Sequence, residues 1–230
     1  MNEHAKTYLI NFLKGILAGL AIGLCSFLYV LMTFALKDDF AELGKILGSL
    51  LFSIGLFLVC TFYLSLYTGK IGLVFEEKKD KDFYISLPIM LIGNAIGAFG
   101  LGYICFFIFR NTDVYQSALD AANARLQFNN FFDYLVTAIK AFLCGMCVYL
   151  AVKAFSLNRL KPIGITLLVF FVFVFVYCGF QHCIANMFYF GMANAMTWNT
   201  LINLLLVIAF NSFGPIVGVL LVKLVKQANN

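Results

Sequence analysis

The chain has 230 residues, 63% of them hydrophobic and 12% charged, with a mean hydropathy of +0.94. Soluble domains are about half apolar and about a quarter charged, so the composition excludes an ordinary water-soluble fold and points to a polytopic membrane protein. The net charge of +5 is not a nucleic-acid signature, because the basic residues sit at the ends of apolar runs.

At about 20 residues per crossing, the length allows six or seven spans with short loops. The first span covers residues 9–36. The polar start at 2–7 reads either as an interfacial helix or as a tail. Gly15, Gly19 and Gly23 recur every four residues, giving a face on which helix backbones approach closely in lipid. After a charged turn at 37–42, the second span runs from about residue 43 to 66, with Gly44 and Gly48 as another close-packing pair. It breaks at Thr68-Gly69 and resumes briefly before the charged loop 76–82. The third span, 83–109, carries Pro88 in its first turns, where a missing N–H costs least, and Gly93, Asn94 and Gly97 further along. The connection 110–130 is the longest polar one, and residues 118–126 within it read as a surface helix. The fourth span covers 131–155, with Asp133 and Lys140 near its start. The fifth covers 162–178, breaks at Gly179 and continues briefly over 184–192. In the sixth, 200–225, Gly214 and Gly218 lie four apart and Pro215 introduces a kink.

All of the 16 lysines and arginines except Lys37, Lys45, Arg110, Arg125 and Lys140 fall at the same ends as the N-terminus. The positive-inside rule then places both termini in the cytoplasm, consistent with an even number of spans. The seven cysteines lie in or beside apolar runs. Cys144 and Cys147 have C-x-x-C spacing but no second pair, so neither a metal site nor a cofactor is expected.

The stretch Gly179-Phe180-Gln181-His182-Cys183-Ile184-Ala185-Asn186-Met187 interrupts the fifth span with three polar side chains within six residues. In hydrocarbon such groups cost several kcal/mol unless they find a partner or face water, and an intramembrane ionisable residue is a functional candidate by default. Three spans precede the long connection and three follow it, and the second of each trio is the broken one. An odd number of spans per half inverts one half against the other. Interrupted segments in matching positions of inverted halves mark a pathway near the midplane. Thr68-Gly69 and the Gly179–His182 break should therefore converge. The expected fold is an all-α membrane protein of six transmembrane helices in two inverted three-helix repeats, about 9–110 and 131–226, forming one domain over 1–230.

These residues resemble the formate/nitrite transporter family. The nine residues from Gly179 look like its fifth-helix signature. Phe52-Ser53-Ile54-Gly55-Leu56 with Leu66-Tyr67-Thr68 looks like its second helix and loop, and Gly93-Asn94-Ala95-Ile96-Gly97 like its third. The resemblance implies an aquaporin-like fold assembled as a homopentamer in the plasma (inner) membrane, with one pore per subunit. It implies passage of small monovalent anions or their conjugate weak acids, formate first, with nitrite and hydrosulfide as alternatives. It makes His182 the central histidine and Thr68 its loop partner. Leu56, Leu66, Val148 and Phe175 become the lining of two constrictions, with Phe52 just beyond and Gln181 and Asn186 beside the histidine. The chain departs from the family pattern at Gln181, where glutamate is usual, at Gly145 and Pro215, where asparagine is common, and at Ser65. The family's basic residue at the start of the fourth span is either Arg125 or Lys140.

An anion entering a dry constriction faces a large desolvation penalty, which protonation removes. Proton-coupled passage is therefore expected, with cations at the mouths gathering the anion. Broken helices also suit a rocking secondary transporter of short monocarboxylates, and a neutral-solute pore is a further alternative. An enzyme using His182 as general base would need a nucleophile or metal partner that the sequence does not offer.

Overall fold

The structure, a computed structural model, describes residues 2–76, 78–158 and 161–228. Arg159 and the side chain of Lys226, both counted above with the inner cations, lie outside the described residues. The order is α1 (Glu3–Ala35), α2 (Ala41–Thr61), α3 (Tyr67–Ile71), a 3-10 turn (Gly72–Phe75), α4 (Lys81–Phe109), α5 (Val114–Asn123), α6 (Phe131–Leu157), α7 (Pro162–Tyr177), α8 (Cys183–Met192), α9 (Trp198–Phe213) and α10 (Pro215–Ala228). Among the described residues, five helices are long and apolar enough to cross a membrane: α1, α2, α4, α6 and the α9–α10 pair. The broken fifth span is the shorter apolar pair α7 and α8.

Local chemistry explains the boundaries. The Asn2 side chain accepts from the His4 N–H, and the Asp80 side chain from the Phe83 N–H. Asn130 with Asp133, and Thr197 with Thr200, form reciprocal capping boxes at the starts of α6 and α9. Pro162 and Pro215 each open a helix, the position where a proline's missing N–H was unpaired anyway. The sixth span is thus divided at Gly214–Pro215 rather than merely kinked. Residues 3–7 are the first turns of α1, neither a separate interfacial helix nor a tail. They are tied to α4 by His4 Nδ1 to Asp82 Oδ2 at 2.5 Å and by Tyr8 O–H donating to Asp82 Oδ1 at 2.7 Å.

The break in the second span lies at residues 62–66, ahead of Thr68-Gly69, which sit inside α3. The α2 helix ends in a left-handed residue, Tyr63 (φ 54°), and the Leu64 N–H then bonds back to the Val59 carbonyl. The α7 helix ends the same way, with Gly179 at φ 68° and the Phe180 N–H on the Phe175 carbonyl. Both are Schellman terminations. Three residues after each left-handed residue comes the residue that opens the next short helix, Leu66 for α3 and His182 for α8.

The two halves pack alike. The α1 helix lies against α2 and α4, and α6 against α7 and α9; α2 and α7 meet, as do α4 and α8. Where α1 crosses α4, a methyl on Gly19 would strike the Asn94 carbonyl and one on Gly97 the Ile16 carbonyl. Where α6 crosses α9, Gly145 and Gly214 stand in the same relation to Asn211 and Phe142. In lipid, such backbone-to-backbone contact supplies the packing that the hydrophobic effect supplies in water. The α5 helix is not a surface helix: Ala118 and Ala122 are fully buried, and it packs on α8 and α1.

Candidate functional site

The two short helices bring their first residues together. His182 precedes α8, and its Nδ1 accepts the Ala185 N–H at 3.3 Å as a helix cap. A ring nitrogen that accepts carries no proton, so the neutral ring holds its proton on Nε2. Nε2 lies 2.8 Å from Thr68 Oγ1 in α3 and donates to it. The Thr68 O–H is left to donate to a passing solute. On the other side of the imidazole lies Phe175, its ring 5.9 Å away and nearly parallel, and Phe52 meets Phe175 edge-on at 5.8 Å.

Two cavities flank this pair. The first, about 460 Å³, is lined by Phe52, Phe175, Gln181 and His182, with Arg125 and Lys140 on its walls. The second, about 250 Å³, is lined by Leu66, Val59, Cys60, Lys70, Val152 and Phe155. They lie toward opposite ends of the same helices. On α2, Phe52 borders the first and Val59 the second. On α6, Lys140 borders the first and Val152 the second, about 18 Å apart along the helix axis. Between them in sequence on these helices fall Leu56 and Val148, which line neither cavity and are 2% and 1% exposed. The structure thus sets a close-packed apolar layer between the two cavities, with His182 at the edge of one and Leu66 at the edge of the other.

Backbone polar groups at this depth need partners, and two buried asparagines supply them. Asn94 accepts from the Tyr67 N–H at 2.8 Å and donates to the carbonyls of Ser65 and Gly15 at 2.9 and 2.8 Å. Asn211 accepts from the Cys183 N–H at 2.9 Å and donates to the carbonyls of Gln181 and Ala141 at 2.9 and 2.7 Å. Each amide therefore grips the residues on either side of the key position, Leu66 in one half and His182 in the other.

A model of the family described as "Formate/nitrite transporter" matches residues 1–225. The chain belongs to this family. It is accordingly a multi-pass membrane protein of a transporter family, not an enzyme. An uncharacterized transporter of Bacillus subtilis (strain 168), YrhG, is 30% identical over 200 residues, covering 82% of this chain and 73% of its own. A solved structure described as a pentameric formate channel with formate bound is similar over 99% of this chain and 98% of its own, with a TM-score of 0.78 at 23% identity. A second, described as an FNT family ion channel, covers 93% of this chain and 92% of its own, with a TM-score of 0.75 at 20% identity. At these identities the two structures establish the fold.

Of the residues singled out in the sequence, His182, Thr68, Phe175 and Phe52 form one continuous contact chain. Gln181 and Asn186 are close by but do not bond the imidazole through their side chains. Gln181 Oε1 instead accepts from Asn186 Nδ2 and Asn203 Nδ2, each at 2.9 Å, and its Nε2 reaches Thr137 Oγ1 at 3.5 Å. Asn186 Oδ1 accepts from Arg125 Nε at 3.0 Å, and the Arg125 guanidinium lies over the Tyr189 ring at 4.1 Å. Arg125 and Lys140 both face the first cavity, but only Arg125 is built into the amide network. Sequence reasoning missed Asn203 and Asn211. The available signal was an asparagine inside an apolar span, the cue that had marked Asn94 and Asn186.

With Gln181 in the place of a carboxylate, nothing in the amide ring neutralises Arg125. In Gln181→Glu the carboxylate keeps both amide donors and adds a negative charge beside Arg125 and behind His182. The half-saturating anion concentration should rise several-fold, and the pH profile of uptake should move to higher pH. Initial-rate uptake over a pH series checks both; an unchanged curve would mean that residue 181 does not set the field in this cavity.

Proposed function

We propose that the chain is a pore for small monovalent anions and their conjugate weak acids, with formate its first candidate substrate. It works as a homopentamer with one pore per subunit, in the plasma (inner) membrane with both termini cytoplasmic. The observation carrying this reading is the pair of cavities at opposite ends of α2 and α6, separated by the apolar Leu56–Val148 layer with His182 and Thr68 at its edge. The first cavity faces outward on this orientation. Support for formate and for the pentamer comes from the description of the structural relative as a pentameric formate channel.

Arg125, Lys140 and Lys37 outnumber Asp120 on the walls of the first cavity, so an anion is concentrated there. The Thr68 O–H donates to it, held in place by the His182 Nε2–H. In the observed arrangement the neutral ring gives a hydrogen bond but no net proton. To deliver one, His182 must first take a proton on Nδ1 and give up the helix cap. The anion then gains a proton from that imidazolium or from cavity water, crosses the layer as the neutral acid, and releases the proton beyond. Anion and proton move together.

Proteoliposomes holding the purified protein and offered formate, nitrite, hydrosulfide, acetate and lactate test the reading. Formate flux should exceed that of protein-free liposomes and should rise as external pH falls. Counterflow with full saturation would point instead to a rocking carrier, and solute-independent swelling to a neutral pore. Native mass spectrometry in mild detergent should show five subunits; a stable monomer or trimer would remove the pentamer. Leu17, Ile92, Phe107 and Leu205 are among the apolar side chains exposed on the single chain, a surface available to lipid and to neighbouring subunits.

Leu56→Ala should widen the apolar layer, and Phe175→Ala should widen the approach to it from the first cavity. Lactate flux relative to formate should increase several-fold. Burial alone would instead cost stability, about 3–5 kcal/mol for the phenylalanine and 2–5 kcal/mol for the leucine, with selectivity unchanged. Measuring both carboxylates through folded mutant protein separates the two.

A further inference from the structure

The second cavity contains a cation with no role assigned so far. Lys70, in the last turn of α3, lies two residues after Thr68 and four after Leu66, and it is half-buried. Its neighbours on the cavity wall are mainly apolar: Val59, Leu64, Leu66, Val152 and Phe155. Among the described residues no carboxylate lines this cavity and no ion pair to Lys70 occurs. The adjacent cation on α6, Lys153, is already engaged, with Glu76 Oε2 2.6 Å away and Tyr149 O–H donating to the other oxygen at 3.0 Å. The charge of Lys70 is therefore uncompensated where Lys153 is neutralised. Low-dielectric walls strengthen its field inside the chamber.

We infer that Lys70 is the anion-binding residue of the second cavity, holding a small monovalent anion directly against the Leu66 side of the apolar layer. This rests on the pore reading above and deepens it. Each chamber would then carry its own cation, Arg125 with Lys140 in the first and Lys70 in the second, so anions could enter from either face. Export from the cytoplasmic side would start at Lys70. Among the described residues, the other cations that the sequence places on that face are not lining residues of this cavity.

Cys60 offers a probe that does not depend on transport. Cys60 lines the same cavity as Lys70. In a Cys178→Ser background, which removes the exposed thiol, Cys60 is reacted with an anionic and a cationic methanethiosulfonate of similar size. The ratio of the two rates reports the local potential, and any change in thiolate population cancels in it. In the parent protein the anionic reagent should be favoured, and sodium formate should slow it. Lys70→Gln should lower the ratio about tenfold, the scale of one charge at close range, and abolish the competition by formate; Lys70→Arg should preserve both. In liposomes, the half-saturating formate concentration on the Lys70 side should rise several-fold in Lys70→Gln. A ratio unchanged in Lys70→Gln, absence of formate competition in the parent, or a Cys60 that reacts with neither reagent overturns the inference. Selective labelling without any formate flux would instead remove the pore reading and leave the anion site standing.

Discussion

Replacing His182 with alanine should leave most of the protein folded and remove most of the formate flux, while asparagine at the same position should retain more flux but flatten its dependence on pH. The difference follows from the three things the imidazole does. Its Nδ1 caps α8, its Nε2–H holds Thr68, and the ring is of the side-chain type whose ordinary titration range lies near neutral pH. Alanine removes all three. Loss of a cap costs about 0.5–2 kcal/mol, and an orphaned buried hydroxyl adds about 1–3 kcal/mol. The fold tolerates that sum better than a pore tolerates an unoriented Thr68. Asparagine is itself a good helix cap and keeps hydrogen-bonding capacity, but it cannot titrate. Phenylalanine should behave like alanine in conduction. Formate uptake between about pH 5 and 8, the range around the unperturbed histidine value, is compared for the parent and the three variants. If all four gave the same flux and the same pH curve, His182 would have no part in proton transfer, which would pass to water at the pore mouths.

Much of this arrangement was legible in the sequence because a bilayer makes polarity conspicuous. A glutamine, a histidine and an asparagine inside an apolar run announced the His182 break, and Gly179 supplied the left-handed residue that ends α7. The matching break in the first half was misplaced by several residues for a physical reason. There the left-handed position is Tyr63, a residue type that gives no sign of such a conformation, so Gly69 drew attention to the wrong place. The glycine spacing gave the close-packed faces but not the partners: Gly145 was noted only as a missing asparagine, whereas it is the space in which the backbone at Asn211 sits. Arg125 could not be separated from Lys140 by sequence, because both fall near the start of the fourth span. What distinguishes them is that Arg125 reaches Asn186 across a tertiary contact.

The second large effect should come from the two asparagines that touch no substrate. Asn94 and Asn211 are both fully buried, and each uses its carbonyl and both amide hydrogens on three different groups, all of them main-chain. Removing one amide strands one backbone N–H and one loop carbonyl at membrane depth, while the Gly15 and Ala141 carbonyls keep their partners within α1 and α6. At about 1–3 kcal/mol for each unsatisfied buried group, the loss is about 2–6 kcal/mol, a large share of the net stability of an ordinary domain. No conservative replacement recovers it. Aspartate keeps the acceptor and loses both donors. Glutamine has the right groups on a chain one methylene longer, so its amide cannot meet the same three main-chain groups at the observed distances. Asn94→Ala, Asn211→Ala and both aspartate variants should therefore yield little folded protein, or protein that unfolds at a markedly lower temperature. Asn199→Ala, which removes an exposed bond to the Leu126 carbonyl at 3.3 Å, should be nearly neutral. Thermal unfolding followed by size-exclusion chromatography in detergent makes the comparison. Whatever Asn211→Ala survives should also lose flux more steeply than it loses stability, because the amide fixes the main chain on both sides of His182. An Asn211→Ala protein with parental stability and parental formate flux would show that water, not this side chain, satisfies the break.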